Sequence, residues 1–197
     1  MLHPISYLNK FCAENQGKIF LDCQEIDNDK DFRIYQRAAV PHILVPYFNV
    51  RNRYVKLGSR ILDRVQANFR SRFMQQDMVK KNHMKLFFGA NWFSLPEDAV
   101  KFVLNNQNQI NSLFKRGRNV DELFVQTILA NNDGFREKMV GSRRFTDWSA
   151  GGDHPKTLTM ADFDCLSESS AFFARKFDNR VDKEVIDRVV CKVKSEM

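Results

Sequence analysis

No stretch of this chain approaches the roughly 18 consecutive apolar residues that a membrane span requires, and its first residues lack the basic, apolar, small-residue succession of a secretory signal. Cysteine is sparse. Cys12, Cys23, Cys165 and Cys191 lie far apart, with no Cys-x-x-Cys pair and no histidine at zinc-ligand spacing, which argues against a structural zinc site. Free, mostly buried thiols in a reducing cytoplasm, bacterial or cytosolic rather than a secretory lumen, are therefore expected. Internal repeats, low-complexity tracts and linkers are absent too. Tryptophan occurs twice and tyrosine four times, whereas phenylalanine occurs 18 times, which favours a well-packed interior but names no chemistry.

What is abundant is positive charge. Lys and Arg number 31 against 24 Asp and Glu, a formal net charge of +7, and such an excess suits a phosphate-rich partner: nucleic acid, anionic membrane or nucleotide-linked substrate. The excess is concentrated. Residues 51 to 81 carry Arg51, Arg53, Lys56, Arg60, Arg64, Arg70, Arg72, Lys80 and Lys81 against Asp63 and Asp77. The ordinary meaning of such a run is a solvated helix face. A small nucleic-acid-binding protein built on it would be expected to show a zinc knuckle, an RNP-like aromatic pair or a GXXG loop; none is present, so nucleic acid is not an expected partner.

Apolar spacing predicts a helix from Pro4 to about Asn15, stopped at Gly17, and a strand over 18–23. Asp27 to Asp31 reads as a polar loop, and Arg33 to Val45 as strand-like, broken at Pro41 and Pro46. Leu57, Ile61, Val65, Phe69 and Phe73 recur every four residues, predicting an amphipathic helix from about Leu57 to Gln76 with its arginines on the other faces. Lys85 to Phe88 reads as a strand. Ser94-Leu-Pro-Glu97 reads as a capping box opening a helix to Asn106. A short helix over Ile110–Lys115 stops at Gly117, and Asn119 opens another through Leu129. A strand over Arg143–Trp148, a Gly151-Gly152 loop, a helix from Thr159 and a final amphipathic helix over 182–192 complete the pattern. Strands and helices alternate, which favours an α/β class.

Four constellations stand out. Asp121-Glu122 begins a helix after a loop; the pair suits a capping box and the positive helix end, but a carboxylate held there can also take a proton from a sugar hydroxyl attacking an anomeric carbon. His154-Pro155-Lys156 follows the Gly-Gly loop, where a lysine is ordinarily a solvated charge. Arg175-Lys176 sits inside Phe172-Phe-Ala-Arg-Lys-Phe177, a charged pair between apolar anchors. Two lysines converging on one site would neutralise a leaving diphosphate, work that many glycosyltransferases give to a divalent metal. Trp92 and Trp148 each end a predicted strand; such residues are more often core than ligand platforms, yet sugar clefts use exposed aromatic faces to stack on a pyranose.

The order of these motifs resembles that of the core-2/I-branching glycosyltransferase family, which includes β-1,6-N-acetylglucosaminyltransferases and protein xylosyltransferases. The matching residues are Gly89, Trp92, Leu95, Asp121, Glu122, Gln126 to Leu129, Arg144, Asp147, Trp148, His154 to Leu158 and Phe173 to Asp178. The likeness is strongest over residues 85–180 within one partial glycosyltransferase domain spanning 1–197, with a fainter echo from His3-Pro4-Ile5 to Leu21. The resemblance implies a GT-A-like α/β fold and inverting, single-displacement transfer from a UDP-sugar, N-acetylglucosamine or xylose, without an obligatory metal or other cofactor; the chain has no convincing Asp-x-Asp metal motif. It places the catalytic base on Glu122, acceptor contacts on Asp121, Trp148 and Trp92, and the diphosphate-binding cations on Lys156, where several members have Arg, and Lys176. The acceptor it implies is a glycan or lipid-linked oligosaccharide in surface polysaccharide synthesis.

Two departures accompany the resemblance. Val120 replaces the family's proline before Asp-Glu, which should loosen the turn slightly. Members also carry roughly a hundred residues before the Pro-Ile segment, so the chain is expected to be the C-terminal part of the fold, an N-terminally shortened, bacterial-type member lacking the first nucleotide-binding strands. A non-catalytic remnant that at most binds glycan is the competing expectation. On charge alone, the basic helix from Leu57 to Lys81 is expected to rest on an anionic membrane where a lipid-linked acceptor would sit.

Overall fold

Pro4, with φ −66° and ψ 159°, stands at the entrance of α1 (Ile5–Glu14), and Asn15 closes its last turn by donating to the Phe11 carbonyl from both its backbone N–H, at 3.0 Å, and its side-chain amide, at 2.9 Å. Gly17 then takes φ +78°, a left-handed conformation that costs glycine little, and turns the chain into β1 (Ile19–Phe20) and β2 (Gln24–Glu25). In this computed structural model residues 2–42, 44, 50–73, 77–152 and 154–196 are described.

Next comes α2 (Phe32–Ala39), where the sequence had suggested a strand. Tyr35, Ala38 and Ala39, three and four residues apart, face the core, and Arg, Gln and Ala are helix formers. The far end of the segment read as a strand, including Ile43 and Val45, lies outside the described residues, as do the break at Pro46 and the helix end at Gln76.

α3 (Arg53–Phe73) follows the predicted course but is turned the other way. Asn52 caps it, its Oδ1 accepting from the Tyr54 and Val55 amides at 2.9 and 3.2 Å. The face against the core carries Ser59, Asp63 and Ala67, while the expected core stripe of Leu57, Ile61, Val65 and Phe69 is exposed. The cause is a polar anchor. Buried His42 gives Nδ1 to Asp63 Oδ2 at 2.7 Å and Nε2 to the Gln36 carbonyl at 3.0 Å. The ring thus ties the Asp63 side chain of α3 to the backbone of α2. A buried carboxylate must stay with its partner, and the small residues one turn either side let the helix come close.

α4 (Met78–Lys81) is capped by Asp77, which also receives the Tyr35 hydroxyl at 2.9 Å; burial and that carboxylate push the Tyr35 phenol far up. β3 (Phe87–Phe88), α5 (Glu97–Asn105) and α6 (Gln107–Phe114) follow. The Ser94 capping box does not form. Pro96 stands at the entrance of α5, and Ser94 instead exchanges backbone hydrogen bonds with Phe20, at 3.0 Å each way. A 3-10 turn (Val120–Glu122) and α7 (Phe124–Ala130) replace one continuous helix, and α8 (Asp133–Arg136), β4 (Met139–Val140) and β5 (Arg144–Thr146) follow. A second 3-10 turn (Met160–Asp162), α9 (Phe163–Glu168), β6 (Phe173–Arg175) and α10 (Lys183–Ser195) complete the order.

The strands pair as three short ladders: β1 parallel to β4, β2 antiparallel to β3, and β5 parallel to β6. At the centre is α7, buried from Val125 to Ala130. A helix apolar all round must be enclosed, and its polar groups are spent on β3 and the residues before it. Thr127 Oγ1 accepts from the Phe87 amide at 3.0 Å, and Asn131 just beyond the helix brackets Lys85, accepting from its N–H at 3.0 Å and donating to its carbonyl at 2.7 Å. The architecture is mixed α/β. Three of the four thiols are exposed, Cys12, Cys165 and Cys191, contrary to the expected burial, because they occupy outward positions of α1, α9 and α10. Half-buried Cys23 is the exception: burial pushes its thiol up to about 11.

Candidate functional site

The two parallel ladders determine where a ligand can sit. In α/β structures the backbone opens beyond the carboxyl ends of parallel strands, where loops diverge. Just past β1 and β4 lies a cleft of about 730 Å³, walled by residues 21–25, 87–90 and 139–141, with Glu122, Arg136 and Trp148 on its lining. Asp22 ties the two strand exits together, accepting from the amide and hydroxyl of Ser142 at 2.9 and 2.7 Å.

Gly89 forms the tightest part of the wall. A Cβ there would lie 1.8 Å from the Asp22 carbonyl oxygen, so only glycine permits this approach. Its amide donates to the Glu122 carbonyl at 3.0 Å. Fully buried Gln126 extends its side-chain amide to the carbonyls of Gly89 and Ala90 at 3.1 and 3.0 Å, and its own oxygen has no hydrogen-bond partner among the described residues. Helix α7 therefore fixes the cleft wall and the Glu122 backbone as one unit.

Asn119 enters the 3-10 turn in the left-handed conformation, φ 48°, and neither it nor Glu122 serves as a side-chain cap. The turn closes through the Leu123 amide on the Val120 carbonyl at 2.9 Å, so valine in place of proline leaves it intact. Released from capping, the Glu122 carboxylate meets Arg37, Oε2 accepting from Nη1 at 2.9 Å with the two side chains 37 and 29 % exposed. Oε1 has no hydrogen bond among the described residues. Asp121 is exposed and accepts from Asn91 at 2.9 Å.

Neither tryptophan is core. Trp148, past the end of β5, is 55 % exposed on the cleft lining. Trp92 is 50 % exposed and lies apart from that lining, its ring approached by the guanidiniums of Arg144 and Arg175, each 5.6 Å from the centroid. Arg144 also lies over Phe173, and partial burial lowers its basicity. A sugar stacking on Trp92 would share the ring with these cations.

The backbones that carry Lys156 and Lys176 run together, the Leu158 amide donating to the Lys176 carbonyl at 2.8 Å. Lys176 is exposed just past the end of β6. The Lys156 ammonium is held by Asp162 at 2.6 Å and Asp147 at 3.6 Å. Its hydrogen bond to Asp162 raises the ammonium above its usual range and, with the Thr159 amide, holds the Asp162 carboxyl below its own. Neither lysine is on the cleft lining. Among the described residues no three His, Cys, Asp or Glu side chains cluster as a metal site.

Two residues here escape sequence reasoning, and a third, Gln126, matches the family's motif without a role there. Arg37 lies far from Glu122 in sequence, inside a segment read as a strand. Arg136 lines the cleft, its guanidinium 5.8 Å from the Phe87 centroid, with no carboxylate partner among the described residues. Gln126 carried a signal, since a glutamine inside an otherwise apolar buried helix needs a reason to be there.

A sequence model of the Core-2/I-Branching enzyme family matches residues 37–167. The chain belongs to that family. Over 111 residues it is 30 % identical to Beta-glucuronosyltransferase GlcAT14A of Arabidopsis thaliana, a match covering 53 % of this chain and 24 % of that protein. Beta-glucuronosyltransferase GlcAT14B of the same plant matches at the same identity and length, over 25 % of its own length. The chain thus spans about a quarter of these relatives.

Proposed function

We propose that the chain carries the acceptor side and catalytic base of an inverting glycosyltransferase with a GT-A-like fold, moving a sugar from a UDP-sugar to a hydroxyl of a glycan or lipid-linked oligosaccharide. The observation that supports it best is that Glu122 and Trp148, far apart in sequence, line one cleft beyond the parallel strand ends. In the reaction the acceptor oxygen attacks the anomeric carbon as the bond from that carbon to the diphosphate oxygen breaks, the hydroxyl proton passes to Glu122, and UDP leaves. Arg37 on Oε2 orients the carboxylate and leaves Oε1 for the acceptor. Trp148 offers its face to the pyranose, Asp121 a polar contact. Lys156, Lys176 and, on the cleft itself, Arg136 supply positive charge to the departing diphosphate without a metal. N-acetylglucosamine, xylose and, from the relatives' names, glucuronic acid are the donor sugars to try. The setting proposed is surface polysaccharide synthesis, in the cytoplasm at the inner face of a membrane.

A panel of UDP-sugars incubated with mixed glycan acceptors in EDTA, with UDP release followed, tests this. Turnover is expected to survive EDTA and to fall by about a hundredfold or more in Glu122→Gln; turnover retained by that variant removes Glu122 as base. The second reading, glycan binding without transfer, is favoured by the engagement of Lys156 with two carboxylates. Saturable glycan binding with no UDP release from any donor would establish it.

A further inference from the structure

The outward face of α3 is apolar, and its charge identifies what can cover it. At 3.6 residues per turn, Ser59, Asp63 and Ala67 face the core, and the residues opposite them are Tyr54, Leu57, Ile61, Leu62 and Val65. These are 83, 56, 52, 61 and 61 % exposed. Arg53, Arg60 and Arg64 fall along one border of that arc, and all three are exposed. Asp63 is the helix's only acidic residue, and it is buried against His42. A helix with apolar residues at the centre of its solvent face and cations at the border is the design of one lying in a membrane interface. No helix among the described residues is long and apolar enough to cross a membrane.

We propose that α3 is the docking surface for an anionic lipid bilayer, lying parallel to it with Ile61, Leu62 and Val65 among the upper acyl carbons and Arg53, Arg60 and Arg64 reaching to lipid phosphates. The arginine stems can cover apolar surface while their heads meet the headgroups. Charge favours lipid over a second copy of the chain. Two such faces packed together bring no exposed acid from either helix to meet the arginines, whereas anionic headgroups neutralise them. The His42–Asp63 pair fixes the rotation that turns the apolar arc outward. This sharpens the membrane setting proposed above, and the binding assay involves no sugar transfer, so it succeeds or fails independently of the transferase reading.

The test is co-sedimentation of the whole chain with vesicles of phosphatidylcholine alone or mixed with phosphatidylglycerol, at low and high salt. Binding is expected to require phosphatidylglycerol and to weaken with salt. Arg60→Gln with Arg64→Gln should lose roughly 25-fold in affinity, about fivefold for each arginine. Ile61→Ser with Val65→Ser, both at exposed positions and so expected to leave the far-ultraviolet spectrum unchanged, should lose at least about tenfold. No binding to the mixed vesicles, or serine variants that bind as well as the parent, would overturn the proposal. So would a concentration-dependent dimer in sedimentation velocity that the serine variants abolish, since a second copy would then be the occupant.

Discussion

Replacing Gln126 with leucine separates the polar account of the cleft wall from one based on packing alone. Leucine is close to glutamine in volume and favours helix, so α7 loses little propensity or packing. The amide loses its bonds to the Gly89 and Ala90 carbonyls, at 3.1 and 3.0 Å. Gly89 is buried, so its carbonyl is left without water and costs about 2 kcal/mol; the Ala90 carbonyl is more open and costs about 1 kcal/mol. Against this, the unpartnered Gln126 oxygen disappears, returning about 1 kcal/mol. The net is a loss of about 2 kcal/mol. With a urea slope near 2 to 3 kcal/mol per M, the midpoint should fall by about 0.7 to 1 M. If the polar account is right, the loosened turn also displaces Gly89 from the Glu122 carbonyl, and any transfer activity should fall further than the unfolded fraction explains. An unchanged or raised urea midpoint would refute the reasoning, because it would show the wall held by apolar contacts alone.

Two further outcomes follow from the side-chain environments. At pH 8.5 iodoacetamide should modify Cys12, Cys165 and Cys191 first, with Cys23 lagging about a hundredfold behind a thiol of ordinary value, because its thiol is raised from 9.0 to about 11; equal labelling, read by peptide mass, would contradict its burial. Since that value is raised on folding, the neutral thiol's contribution to stability is present below pH 9 and is lost as pH rises towards 11. Asp162 has the opposite sign. Its carboxyl is held below 3.8, so its contribution is present above that value and is lost as pH falls through and beneath it. Asp162→Asn should flatten the acid limb of a stability profile, and an acid limb identical to the parent's would show that Lys156 does not hold this carboxylate in solution.

The sequence made the sign of each local element legible where one rule acted alone. Gly17, with nothing to compete, ends α1 where the chain must turn left, and α10 follows Asp182 because its carboxylate accepts from the Val185 amide at 3.1 Å. Reading failed where a distant partner outbid the local rule. Ser94 is a sound cap by composition, but pairing with Phe20 recruits its backbone. The four-residue stripe of α3 correctly announced a helix and named the wrong buried face, because periodicity reports amphipathicity and not which side has a partner. Only His42, twenty-one residues before Asp63 and buried with it, decides that question.

The site divides in the same way. Motif order placed Glu122 and Trp148 among the candidates, and a cleft now contains both. Arg37 was invisible, because nothing near Glu122 in sequence calls for a guanidinium; folding α2 and the 3-10 turn against each other creates the pair. The lysines are harder to reconcile with a waiting phosphate site. Lys156 has two carboxylates, so a diphosphate must take the ammonium from them. That exchange is not prohibitive. Lys156 and Asp147 are partly open to solvent, which weakens their pairing, while Asp162 is 14 % exposed and holds more tightly; a multiply charged diphosphate that also reached Lys176 would offer more negative charge than either aspartate. On the proposed function, the carboxylates would hold the lysine in place until a diphosphate displaced them. Among the described residues Arg136 has no such competitor, and it already stands on the cleft. If a diphosphate binds here, the first cation it meets is therefore Arg136, and Arg136→Gln should raise the dissociation constant for UDP more than Lys156→Gln does; the reverse order in a UDP titration would return the leading role to the lysine that the motif points to.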